Sequence, residues 1–186
     1  MSAAAEEVDE LLTAMLASSK PDFDRNAYGT PEYILQAVRE SFDFHRISMD
    51  PASNAKAQER VRAECWFGEG SPFGDDGLSF VWHGRVFLNP PYGKGLILPF
   101  AEHLAGKDSA GGVTAQAVLV NLDPSTGWFR VFTGCSTHIV LLDKRVAFLH
   151  PETGEPTTGN PRPQCIFLRG ANLEPYRKLG TIVEIK

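Results

Sequence analysis

AQAVLVNL, residues 115–122, runs as a continuous apolar strand. A strand without in–out alternation is buried on both faces, as happens where helices cover both sides of a parallel sheet. RVFL (85–88) is a second buried strand. Between the two, LILPFAEHLA (96–105) reads as a helix, with Pro99 tolerated in its first turn. HIVLL (138–142) and VAFL (146–149) flank Asp143-Lys144-Arg145 as further strands, and QCIFLRG (164–170) is the last strong one. PETGEPTTGNPRP (151–163) is a turn-rich loop. Strand, helix, strand and then paired strands predict an α/β fold, its sheet mostly parallel with an antiparallel edge hairpin.

Upstream, Thr30 as N-cap and Pro31 at the first helical position open a helix, TPEYILQAVRESF, with Ile34, Leu35, Val38 and Phe42 on one side. FHRISMD (44–50) is expected as a short strand ending in an acid. Residues 51–84 read as irregular, with glycines at 68, 70, 74, 77 and 84. At the amino end, EEVDELLTAMLA (6–17) repeats apolar residues at helical spacing with acids in its first turn. The expected organisation is an acidic arm with a short helix over residues 1–24 and one domain over 25–186, without internal repeat.

Charge separates the same two parts. The net charge of -5 resides in the arm, where Glu6, Glu7, Asp9, Glu10, Asp22 and Asp24 face only Lys20. The body is neutral, so charge neither supports nor excludes a nucleic-acid substrate. No apolar run approaches the ~20 residues of a membrane span, and the acidic start is unlike a secretory signal. Cys65, Cys135 and Cys165 are odd in number and widely spaced, which removes both a disulfide framework and a Cys-x-x-Cys knuckle. His45, His83, His103, His138 and His150 show no metal-ligand spacing. These features predict a cytoplasmic chain without a metal.

The chemistry concentrates in Asn89-Pro90-Pro91-Tyr92, directly after the strand 85–88. Two prolines fix φ and remove two donors, so the chain leaves the sheet rigidly with carbonyls exposed. Asn89 adds an acceptor at the carboxyl end of a strand, where open α/β sheets bind ligands. Convergent acceptors beside an aromatic face suit a planar amino group. The acceptors take its two N–H bonds, Tyr92 stacks on the ring, and the nitrogen lone pair is drawn out of conjugation and becomes nucleophilic.

This tetrapeptide resembles the catalytic motif of S-adenosylmethionine-dependent amino methyltransferases. The wider order resembles the small phage and prophage DNA N6-adenine methyltransferases, the phage Dam-like family. The matching pieces are Thr30-Pro31, Asp50-Pro51-Ala52, Asp75-Asp76-Gly77-Leu78 with Trp82, VFLNPPYG (86–93), VLVNLDPSTGWF (118–129), RVAFL (145–149) and GNPRPQCIFL (159–168). The resemblance implies a reduced Rossmann-like methyltransferase sheet, S-adenosylmethionine as cofactor and double-stranded DNA as partner. It implies that Asn89, Pro90, Pro91 and Tyr92 hold the target adenine. Thr30, Pro31, Asp50, Pro51 and Asp76 would bind the cofactor: Asp50 near its amino group, Thr30 at its carboxylate and Asp76 at its adenine. Trp128 would lie near the base, with Arg130, Lys144, Arg145 and Arg162 as phosphate or base contacts.

Two features depart from better-known methyltransferases. Asp50 is followed by Pro51-Ala52-Ser53-Asn54, with no glycine until Gly68. No acid for the cofactor ribose stands out; Glu64 ranks ahead of Glu69. The same tetrapeptide also fits a protein glutamine or other amino-group methyltransferase, or an inactive relative that binds DNA or protein. Oligomeric state and the recognised DNA site are not legible.

Overall fold

The computed structural model describes residues 28–93, 95–106 and 112–186. The acidic arm 1–24, its expected helix over 6–17, and Lys94 lie outside the described residues. Seven strands form one sheet: β1 (Met49–Asn54), β2 (Cys65–Glu69), β3 (Gly84–Leu88), β4 (Val113–Asn121), β5 (His138–Leu142), β6 (Gln164–Arg169) and β7 (Gly180–Glu184). Their order is β2-β1-β3-β4-β6-β5-β7. The first four in that order are mutually parallel. β6 inserts antiparallel between β4 and β5, and β7 adds an antiparallel edge on β5. The mostly parallel core and antiparallel edge are as expected, and the arrangement is Rossmann-like.

The helices are α1 (Glu32–Ser41), α2 (Ala55–Val61), α3 (Ile97–Ala105) and α4 (Gly127–Cys135). β4 shows why the sheet needs cover on both sides. Ala115, Ala117 and Leu119 join one apolar cluster with Ile34, Leu35 and Val38 of α1. Val118 and Val120 point the other way, into a cluster with Ala101 and Leu104 of α3 and Phe132 of α4. These positions are essentially inaccessible to solvent, the burial expected of an unalternating strand.

Several local expectations are corrected. Residues 44–50 are not one strand: Asp43–His45 forms a 3-10 turn with Phe44 and His45 at positive φ, and β1 begins at Met49. Residues 51–84 are more regular than expected, holding α2 and β2. VAFL (146–149) is no strand. Both edges of β6 are taken by β4 and β5, so Leu149 instead makes isolated bridges to Gly29 and Pro156. Thr30 is not the N-cap of α1. That position is Pro31, extended at ψ 148, and its carbonyl accepts from the Ile34 and Leu35 amides. Thr30 is thereby released to face the sheet.

Candidate active site

The parallel strands all end on one side, and β1, β2, β3 and β4 deliver Asp50, Glu69, Asn89 and Asn121 there. Two cavities open along that edge. The first, about 290 Å³, is walled by Thr30, Asp50, Glu69, Asp76 and Asn89. The second, about 420 Å³, is walled by Asn89, Pro90, Tyr92, Asn121, Phe148 and Arg162. Asn89 belongs to both, as does Tyr28.

The first cavity is shaped where β1 breaks. Register with β2 slips between Asp50 and Ser53, beside Pro51, which brings no amide to the ladder. The close backbone approach that glycines after Asp50 would permit comes from neighbouring segments instead. A Cβ on Gly68 would stand 1.9 Å from the Ser53 carbonyl oxygen, and one on Gly77 2.1 Å from that of Pro51.

Asp50 is 3 % exposed. One carboxylate oxygen accepts from Gln58 Nε2 at 2.9 Å and the other from the Ala52 amide at 3.3 Å. Burial pushes its pKa up to about 6, against opposing hydrogen bonds from Ser53, Ala52 and Gln58. A buried carboxylate held partly ionised seeks a cation. It also makes stability depend on pH. The folded pKa lies above the ordinary one, so the protonated acid favours the fold, and that advantage disappears as pH rises through about 6. Fully ionised, Asp50 costs on the order of 3 kcal/mol. Asp50→Asn is therefore expected to raise urea resistance clearly at pH 8 and much less at pH 4, near the ordinary carboxyl pKa; an equal gain at both would contradict the assignment.

Asp76 caps a 3-10 turn, accepting from the Leu78 amide at 2.9 Å and Ser79 Oγ at 2.7 Å. The Trp82 indole, fully buried, donates to Gly77 O at 2.8 Å and fixes the same turn. Glu69, ranked second in sequence, lines the cavity, whereas Glu64 pairs with Arg46 and Arg85 instead. Gln58 was not legible as a site residue; a glutamine in a short, mostly polar helix carries no sign that it reaches back to Asp50.

Asn89 holds the wall between the cavities. Its Nδ2 donates to Thr30 Oγ1 at 3.3 Å, while its Oδ1 is buried without a hydrogen-bond partner. A buried acceptor left unpaired costs about 1–3 kcal/mol, and native proteins keep few of them. Tyr92 donates to the Leu119 carbonyl at 3.2 Å, which anchors the ring against β4, and burial raises its hydroxyl pKa. Phe148 approaches it edge-on, ring centroids 6.5 Å apart.

The remaining expected contacts divide. Trp128 lines a smaller hollow beside Tyr92 together with Arg162 and Asp123, while Phe129 is buried against Phe167. Arg162 pairs with Asp123 at 3.8 Å. Arg145 donates to the Asn160 carbonyl in the loop that walls the second cavity. Lys144 lines a separate hollow with Tyr33 and Lys178. Arg130 is exposed on α4 and lines neither cavity.

A family model described as DNA N-6-adenine-methyltransferase (Dam) matches residues 17–186. The chain belongs to the Dam family. It is similar to the DNA N-6-adenine-methyltransferase of Haemophilus phage HP1 (strain HP1c1), 26% identical over 173 residues that cover 90% of each chain. A Dam-family chain is a DNA N6-adenine methyltransferase, and the glutamine-amide reading is set aside. Among the described residues, no helix is long and apolar enough to cross a membrane, and no group of three or more His, Cys, Asp or Glu is placed to hold a metal ion.

Proposed function

We propose that this protein transfers a methyl group from S-adenosylmethionine to N6 of an adenine flipped out of double-stranded DNA, through the wall shared by the two cavities. The observation that carries this reading is Asn89, which lines both cavities and holds a buried, unpartnered acceptor there.

The first cavity fits the cofactor on its own chemistry. Asp50 supplies a desolvated carboxylate for an ammonium group. Thr30 offers a hydroxyl near the opposite acid end, and Pro51 sets part of the backbone wall. Pro31 caps α1 behind Thr30 and does not line the cavity. Asp76 keeps lone pairs beyond those used in its turn, suited to an exocyclic amine. Glu69, at the carboxyl end of β2, takes the ribose hydroxyls. S-adenosylmethionine supplies a methyl group on a positively charged sulfur.

The protein's own work lies on the second cavity. Oδ1 of Asn89 and the Pro90 carbonyl accept the two N6 hydrogens, Pro91 stiffens the turn, and Tyr92 meets the ring face. An N6 inside a duplex is paired and unreachable in line, so the base is extruded, at a cost of a few kcal/mol that these contacts offset. Arg162, on the wall of the second cavity, faces the flipped base and its phosphates, with Trp128 in the adjoining hollow and Arg145 behind the Asn160 loop. Lys144 and Arg130 are assigned to the DNA backbone further out. Catalysis is then positioning in a dehydrated site, with no covalent enzyme intermediate. Residues 25–186 act as one methyltransferase domain, in the cytoplasm of a bacterial host.

The test is methylation of unmethylated plasmid, with modified adenines located by sequencing; cofactor binding without any methyl incorporation into DNA would overturn the reading. A calorimetric titration with S-adenosylmethionine checks Asp50 separately. At pH 6 the free protein holds part of a proton there, so binding is expected to release it, and affinity to weaken as pH falls below about 6. Heats that do not vary with the buffer's ionisation enthalpy would contradict the Asp50 contact.

A further inference from the structure

Asn121 closes β4 one strand away from Asn89 and lines the second cavity. Its amide orientation is dictated from behind. Gln164, 1 % exposed, accepts the Val146 backbone amide on Oε1 at 2.9 Å. A backbone N–H only donates, so the Gln164 oxygen must face it, and its Nε2 is turned the other way. That nitrogen donates to the Arg162 carbonyl at 2.6 Å and to Asn121 Oδ1 at 3.1 Å. Asn121 must therefore give its oxygen to Gln164. Its Nδ2, with no protein partner among the described residues, is left as a donor on the cavity wall.

We infer that Asn121 is a specificity-determining residue, whose amide donates to the ring nitrogen beside the target amino group. The inference rests on the proposed methyl transfer to adenine and adds to it the polarity of the base pocket. Asn89 Oδ1 accepts; Asn121 Nδ2 donates. Adenine presents this complement, N6 hydrogens beside the unprotonated N1 or N7. On its Watson–Crick edge, guanine or thymine sets an oxygen and a ring N–H against the same pair, so that donor meets donor and acceptor meets acceptor. Cytosine shares the adenine pattern at N4 and N3, and Asn121 does not discriminate against it. The donor is set by the Val146 amide through Gln164, two hydrogen bonds away from the base.

The test uses DNA duplexes carrying adenine, 1-deazaadenine or 7-deazaadenine at the methylated position, in which one ring nitrogen becomes C–H. Wild type is expected to prefer adenine in kcat/KM by about tenfold over one analogue, the value of a single hydrogen bond. Asn121→Ala is expected to lose about tenfold on adenine and to show no preference over that analogue. Asn121→Asp, which keeps shape but presents oxygen to the cavity, is expected to fall below Asn121→Ala on adenine. Unchanged S-adenosylmethionine binding by both variants checks that the fold is kept. Variants that keep the wild-type preference over both analogues overturn the inference, as does a wild type with no preference. Failure of wild type to methylate unmodified adenine strikes instead at the proposed function.

Discussion

Asn89→Ala is expected to lower the rate of methyl transfer by about a thousandfold while leaving S-adenosylmethionine affinity within about twofold. The comparison is with other enzymes, where removing one preorganised hydrogen-bonding group at the reacting atom costs about 10²–10³. Here the lost atom is an acceptor already desolvated and unpaired before substrate arrives, so no reorganisation offsets its absence. The cavity walled by Asp50 and Asp76 keeps its other residues, and among the described residues the side-chain bond forfeited toward it is the 3.3 Å contact to Thr30. Stability should hold or rise, because an unsatisfied buried oxygen is removed. Asn89→Asp retains acceptor oxygens and can take a hydrogen bond from Thr30, so it is expected to stay much closer to wild type. Parallel losses of binding and transfer in Asn89→Ala would show that Asn89 only supports the cofactor cavity.

The second large effect is structural. Gly68→Ala is expected to destabilise the protein by more than about 3 kcal/mol and to abolish cofactor binding. Gly68 sits at φ +131, where an L side chain is strained, and its Cβ would stand 1.9 Å from the Ser53 oxygen. That neighbour is backbone at the break in β1, so relief requires moving β1 from β2 at the very place that carries Asp50. Gly127 is the control. It begins α4 with nothing within 4 Å, and Gly127→Ala should be neutral or slightly stabilising. Urea denaturation of both decides the matter; a Gly68→Ala midpoint equal to wild type would show the contact to be slack.

What the sequence reveals here follows how local the determinants are. β3, β4, α3 and the strand 164–169 are legible because apolar runs and a proline in a first turn are short-range signals. The motif after β3 is legible for the same reason, since its prolines dictate the backbone whatever surrounds it. Residues 51–84 are not, because α2 is short and carries few apolar residues, and β2 contains a glycine whose purpose lies across the sheet. VAFL has the composition of a strand, and only the insertion of β6 between β4 and β5 denies it a partner. Thr30 looks like a cap until Asn89, 59 residues away, competes for its hydroxyl. Asn121 hides in an apolar run, although its place at the end of a strand parallel to β3 was available as a hint.

The unpartnered oxygen of Asn89 bears also on what happens after the reaction. An unmodified amino group brings two hydrogens to the turn; a monomethylated one brings a single hydrogen and a methyl. With the proposed contacts, one acceptor then goes unmatched again inside a dehydrated pocket, and the product is expected to be held less well than the substrate. The same shortfall leaves a second methyl transfer poorly aligned. If Asn89 holds the target amino group as proposed, such a site is expected to modify each adenine once and release it.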